Sequence, residues 1–115
     1  MLMCYFSEEL WIKIPESQRN DIMQEYGEFL QEMITSGHLR DGAKLASSLT
    51  ATTVRKQKGK PVITDGPFAE TKEQLGGYHV MECKDLDEAI SIALRIPTLP
   101  FGGTIEIRAI ELSET

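Results

Sequence analysis

Asp65, in the run Asp65-Gly66-Pro67-Phe68, and His79 are the side chains best suited by type and setting to move a proton or anchor a polar ligand. Each also has a structural reading. In the turn, Asp caps backbone N–H groups, Gly takes an unusual dihedral angle, Pro starts a helical turn and Phe plugs the core. Read functionally, the same turn and the N–H groups opening a short helix line a pocket, where Asp65 contacts a polar ligand or acts as a base. A carboxylate held by several N–H donors has a low pKa, which suits an anchor better than a proton shuttle at neutral pH. His79 shares a strand face with Met81 and Cys83. If that face lines an enclosed space between two subunits, the imidazole titrates near pH 7 and serves as acid or base; otherwise it is a hydrogen-bonded interface histidine. Gly66, Pro67, Phe68, Glu70, Tyr78 and Arg108 complete the candidate set as ligand-binding residues. Arg108 suits bidentate capture of a carboxylate or phosphate, against an ion pair with Glu106, Glu82 or Glu70. Glu70, Lys72 and Glu73 read equally well as a solvated charged face.

Other chemistries find few residues. His38 falls just past a long helix, as a surface group or a partner of the helix C-terminus. Two histidines, two cysteines and scattered carboxylates make no C-x-x-C, H-E-x-x-H or EF-hand spacing, so no metal is expected. Gly76-Gly77 and Gly102-Gly103 are isolated pairs that break the chain before strands, not a phosphate loop, and no cofactor is expected. Cys4 and Cys83 lie in apolar strand contexts without a histidine nearby in sequence, which argues against a nucleophilic thiol. Arg55, Lys56, Lys58 and Lys60 gather at a hairpin tip. On an acidic molecule they read as a solvated tip, because nucleic-acid binding needs a broader basic field.

These side chains must be carried by a small set of elements. Leu2 to Ser7 is apolar and aromatic and reads as a strand. Pro15 opens a long helix in which Ile22, Tyr26, Phe29, Leu30, Met33 and Ile34 recur at helical spacing, closed by Gly37. Asp41-Gly42 marks a turn, and Ser48 to Lys56 with Pro61 to Thr64 forms a hairpin arm reversing at Lys58-Gly59-Lys60. A short helical turn is expected from Pro67 to Gln74, ended by Gly76-Gly77. Tyr78, Val80 and Glu82 alternate with His79, Met81 and Cys83 along a strand, one set facing helices. Asp85 caps a second helix through Leu86, Ala89, Ile90, Ala93 and Leu94, which stops before Pro97. Thr104 to Leu112 is the closing strand.

The sequence is 115 residues long and carries 12 Lys and Arg against 18 Asp and Glu, a net charge of −6. That length suits one α+β domain over residues 1–115, with a radius of gyration of about 13 Å if compact. With 41% hydrophobic and 26% charged residues, disorder and a disulfide scaffold are both disfavoured. No apolar run nears the roughly 18 residues of a membrane helix, and the first residues lack a signal-peptide pattern, so a cytoplasmic protein with free thiols is expected. Two helices on one face of an antiparallel sheet make a ferredoxin-like topology. The other sheet face then needs a cover, and a second copy packed sheet to sheet supplies one, so a homodimer is expected.

The string from Asp65 to Glu73, followed by Leu75-Gly76-Gly77-Tyr78, resembles the signature of the DGPF branch of the YCII-related proteins. Asp85-Leu86-Asp87-Glu88-Ala89 with Pro97, and Gly103 to Arg108, look like that family's second helix and last strand. The resemblance covers most of the chain. It implies a dimeric α/β barrel of ferredoxin-like subunits, and a regulatory link to alternative sigma factors, whose genes often neighbour those of DGPF proteins. Other YCII-related proteins carry a histidine in the middle of the first helix, proposed to pair with an aspartate as an acid-base dyad. Here that stretch reads Gln24-Glu25-Tyr26-Gly27-Glu28, so the dyad is not carried over.

The reading that follows is a dimeric module that binds a small molecule or docks on a regulatory partner. The alternative is a cofactor-free isomerase- or lyase-like enzyme in which Asp65 or His79 transfers a proton on a small carboxylate or phenolic compound, and a third is a dimer whose motif is purely structural.

Overall fold

Along the first strand, Leu2 and Cys4 alternate with Met3 and Tyr5, so one set of side chains is committed to a single face of whatever sheet forms. In the computed structural model, which describes residues 1–112, this strand, β1 (Leu2–Phe6), lies inside a four-stranded antiparallel sheet. It pairs with β5 (Gln74–Met81) on one side and β6 (Thr104–Ile107) on the other, and β2 (Leu39–Lys44) adds to the far edge of β5. The order β2-β5-β1-β6 is that of a ferredoxin-like fold. The second sheet is the hairpin of β3 (Thr52–Gln57) and β4 (Lys60–Asp65).

Three helices accompany the strands. The long α2 (Glu16–Thr35) starts after Pro15 and ends before Gly37, whose φ of 80° gives the left-handed turn that glycine adopts freely. Helix α3 (Leu86–Ala93) is capped by Asp85, whose carboxylate accepts from the Glu88 N–H at 2.8 Å. Leu2, Phe29, Met33, Ile92, Ala93 and Ile96 form the core between the helices and one sheet face, with Cys4, Met81, Cys83, Ile105 and Ile107 packed against it. Each fully buried Leu or Ile of this set contributes about 1.5–3 kcal/mol.

Several expectations need correction. Helix α1 (Glu8–Lys13) was not anticipated, although Ser7 caps it by accepting from the Leu10 N–H at 3.2 Å and Glu8 and Glu9 fill its first turn. Asp41-Gly42 is no turn but part of β2, the second strand of the main sheet, and the hairpin arm is an addition to that sheet. No helix forms between Pro67 and Gln74, where the chain runs through bends, and Gly76-Gly77 lies inside β5. Gly76 is there as the extra residue of a β-bulge, because Cys4 faces Gly77 while Tyr5 faces Leu75. The closing strand stops at Ile107 instead of Leu112. The radius of gyration is 16.5 Å, above the compact value, because β3 and β4 join no other strand and stand apart from the body. No helix among the described residues is long and apolar enough to cross a membrane.

Candidate functional site

Tyr26 lies four residues after Ile22 and three before Phe29, both buried on the inner face of α2, so helical geometry turns its ring toward the sheet. His79 comes to meet it from β5. The Tyr26 Oη lies 2.6 Å from His79 Nε2, with ring centroids 5.6 Å apart. Cys4 Sγ, from β1, lies 3.5 Å from the same hydroxyl, within reach of a weak thiol hydrogen bond. Phe29 braces Tyr26 edge-on at 6.2 Å. His79 is 8% exposed, the buried polar side chain of the core region.

These three groups line a cavity of about 220 Å³ between α2 and the sheet. Phe6, Trp11, Met23 and Leu30 make its apolar walls, and Lys44 and the Gly76-Gly77 backbone complete it. The volume is below the roughly 300–1,000 Å³ of drug-sized ligand sites, which limits an occupant to a small molecule.

Burial fixes the protonation states. It pushes the Tyr26 phenol well above its ordinary pKa, raises that of the Cys4 thiol, and holds the His79 imidazole below its usual value. At neutral pH all three are uncharged. A one-directional chain satisfies them, either Cys4 thiol to Tyr26 hydroxyl to His79 Nε2 or its reverse. Lys44 is then the charged side chain at the cavity.

Two glycines let β2 lie close against β5 beside the pair. His79 sits opposite Gly42 of β2, where a Cβ would come 2.8 Å from the Tyr78 carbonyl oxygen and 3.1 Å from His79 Nδ1. Gly77 sits opposite Lys44, and a Cβ there would come 2.8 Å from the Ala43 carbonyl oxygen. Both contacts are too close for any other residue without a backbone shift.

The residues singled out in the sequence are dispersed. His79 is in the cavity, but its face, shared with Met81 and Cys83, packs on the helices and does not line an open sheet surface. Asp65 is exposed at the end of β4, outside that cavity, and caps no N–H group among the described residues; the two proton-transfer candidates are in different places. Gly66 supplies the local bonding instead. With φ at 97° it donates its N–H to the Ala51 carbonyl at 2.7 Å and accepts from Thr53 Oγ1 at 2.7 Å. Phe68, expected to plug the core, is 77% exposed. Pro67, Phe68 and Glu70 border a separate surface groove with Leu45, Leu49 and Leu75. Tyr78 is on the sheet face away from the helices, opposite Met3. Arg108 is exposed beyond β6, and Glu82, one of its expected partners, pairs with Arg40. His38 bridges Ser36 Oγ at 2.7 Å and Glu88 Oε1 at 3.2 Å, tying the end of α2 to α3. Tyr26 was read as a core residue, because its polar partner lies 53 residues away and no local pattern announces it.

A second polar cluster holds the loop between β2 and β3. Glu8 accepts from the Ser48 N–H at 2.7 Å, Ser47 Oγ at 2.9 Å and Ser48 Oγ at 3.1 Å. The bond from the Ser48 N–H lowers the Glu8 pKa most. Its own N–H donates to Gln74 Oε1 at 2.9 Å, which joins α1 to the start of β5. These bonds account for the carboxylate as a structural tie. No group of three His, Cys, Asp or Glu side chains among the described residues is placed to hold a metal ion.

Comparison with known proteins gives the family. The chain is 31% identical over 112 residues to an uncharacterized protein of Rhizobium meliloti (strain 1021), an alignment covering 96% of this chain and 90% of the relative. The model of the YCII-related domain matches residues 1–113. With a relative matched nearly end to end and the domain model spanning almost every residue, the chain belongs to the YCII-related family.

Proposed function

We propose that the protein is a small-molecule-binding module whose ligand enters the cavity between α2 and the sheet. The observation that carries this reading is the Tyr26–His79 hydrogen bond in the wall of an otherwise apolar cavity. A buried polar pair amid aromatic and aliphatic walls is the arrangement that orients a small ligand with an apolar body and one polar group. Lys44 at the same cavity favours a carboxylate or phenolate as that group. Asp65 has no part in this site. The Asp65 to Phe68 string supports assignment to the DGPF branch, and the apolar residues of the uncovered sheet face, Met3, Tyr5, Tyr78 and Val80, support a homodimer packed sheet to sheet.

The second reading, proton-transfer catalysis, draws on the same pair. A neutral imidazole is in the right form to act as a base, but its lowered pKa makes it a weak one, and Tyr26 gives up its proton reluctantly. Binding therefore ranks first. One-dimensional proton NMR on a mixture of small carboxylates and phenols, followed for several hours with the protein, separates the two. Line broadening that Tyr26→Phe abolishes supports binding; disappearance of a compound that His79→Gln prevents supports catalysis. Unchanged spectra throughout contradict both and turn the search toward protein partners.

A further inference from the structure

The β3–β4 arm is the part of the molecule least explained by a single subunit. A two-stranded ribbon is marginal on its own and gains stability by laying an apolar face on something. Here Val54 and Ile63 stand directly opposite each other on one face of the ribbon, 67% and 69% exposed. Lys56 and Pro61 flank them as the next pair on that face. The two bonds of Gly66 to Ala51 and Thr53 close the ribbon at its base.

Its charge is opposite to that of the rest of the molecule. Residues 52–65 contain Arg55, Lys56, Lys58 and Lys60 against Asp65, a net charge of +3, whereas the remaining eight cations and seventeen carboxylates leave −9 elsewhere. None of the four arm cations makes an ion pair among the described residues, where the salt bridges are Lys13–Glu9, His38–Glu88, Arg40–Glu82 and Arg95–Glu32. A basic arm on an acidic body complements another copy of the same body.

We propose that the β3–β4 arm clasps a second copy of this chain, laying Val54 and Ile63 on its surface with Lys56, on the same face, and Lys58, at the tip, against its carboxylates. This rests on the homodimer reading and adds a second, electrostatic contact to the sheet-to-sheet one. Closed two-fold symmetry makes the contact reciprocal, each arm reaching the other body.

The test is the dimer dissociation constant of the full chain by sedimentation equilibrium, measured from 50 to 500 mM NaCl. Lys56→Glu with Lys58→Glu is compared with Lys72→Glu with Lys84→Glu, which changes net charge equally outside the arm. The arm variant is expected to weaken the dimer about tenfold or more, with a flattened salt dependence, while the body variant stays within about threefold of wild type. Val54→Ser with Ile63→Ser, which leaves charge untouched, is expected to weaken it too. Carbodiimide cross-linking of mixed ¹⁴N and ¹⁵N wild-type protein should join an arm lysine to a carboxylate of the differently labelled copy. A dimer that ignores both arm variants and yields no such cross-link overturns the clasp while leaving the homodimer intact. A wild-type chain that is monomeric at every concentration overturns both.

Discussion

The phenol oxygen of Tyr26 lies 2.6 Å from Nε2 of His79, joining the middle of α2 to the strand beside β1 through a hydrogen bond between uncharged groups. Everything else in the cavity is organised around that bond. The bare Cα positions at Gly42 and Gly77 let β2 and β5 approach closely beside it, and the aromatic and aliphatic walls keep the pair neutral.

Removing the hydroxyl leaves the imidazole without its partner. Tyr26→Phe is expected to cost about 1–2 kcal/mol of unfolding free energy, read from urea denaturation. A loss below about 0.3 kcal/mol means that water replaces the phenol and that the bond does not organise the site.

The lowered His79 pKa sets the sign of a pH dependence. Between that lowered value and 6.5 the unfolded chain binds a proton that the folded one does not, so stability falls as pH drops below 6.5. His79→Gln is expected to flatten this slope between pH 7 and 5. Unfolding curves at matched pH values check it, and an unchanged slope contradicts the assignment.

Gly77 and Gly76 are neighbours with opposite tolerances. An added Cβ at Gly77 meets the Ala43 carbonyl at 2.8 Å, whereas at Gly76 its nearest neighbour is the Cys4 carbonyl at 3.8 Å. Gly77→Ala is expected to cost about 1–3 kcal/mol through displacement of β2, and Gly76→Ala to stay within about 0.5 kcal/mol. Thermal melts of the two variants decide the point.

Glu8 ties α1 to the loop before β3, and its folded pKa lies below 4.5. Its contribution is present above pH 4.5 and lost as pH falls through the folded value. Glu8→Ala is expected to speed hydrogen exchange of the Ser48 amide about tenfold or more, equivalent to about 1.4 kcal/mol of local opening. Unchanged exchange means that other contacts hold the loop.

How much of this was legible in the sequence depends on the range of the interactions. Helix α2, the Asp85 cap of α3 and the β3–β4 reversal were readable because spacing, caps and turn residues act locally. Strand β2 was hidden because Asp41-Gly42 looks like a turn, whereas Gly42 is there to clear the Tyr78 carbonyl and the His79 ring. The run from Asp65 to Phe68 drew attention as a motif, yet its backbone work falls to Gly66 and its Phe points outward. Tyr26 is hidden in the sequence because it falls on the apolar stripe of α2 and its partner is fixed by the tertiary fold.

The most direct test of the account is a titration of the tightest-binding small carboxylate or phenol into ¹⁵N-labelled protein, with shifts followed at the Gly76 and Gly77 amides and the His79 ring nitrogens. The account predicts shifts concentrated on those signals, removed by Tyr26→Phe and weakened by Lys44→Ala. Shifts centred on Asp65 to Phe68, with the His79 ring unmoved, would contradict it.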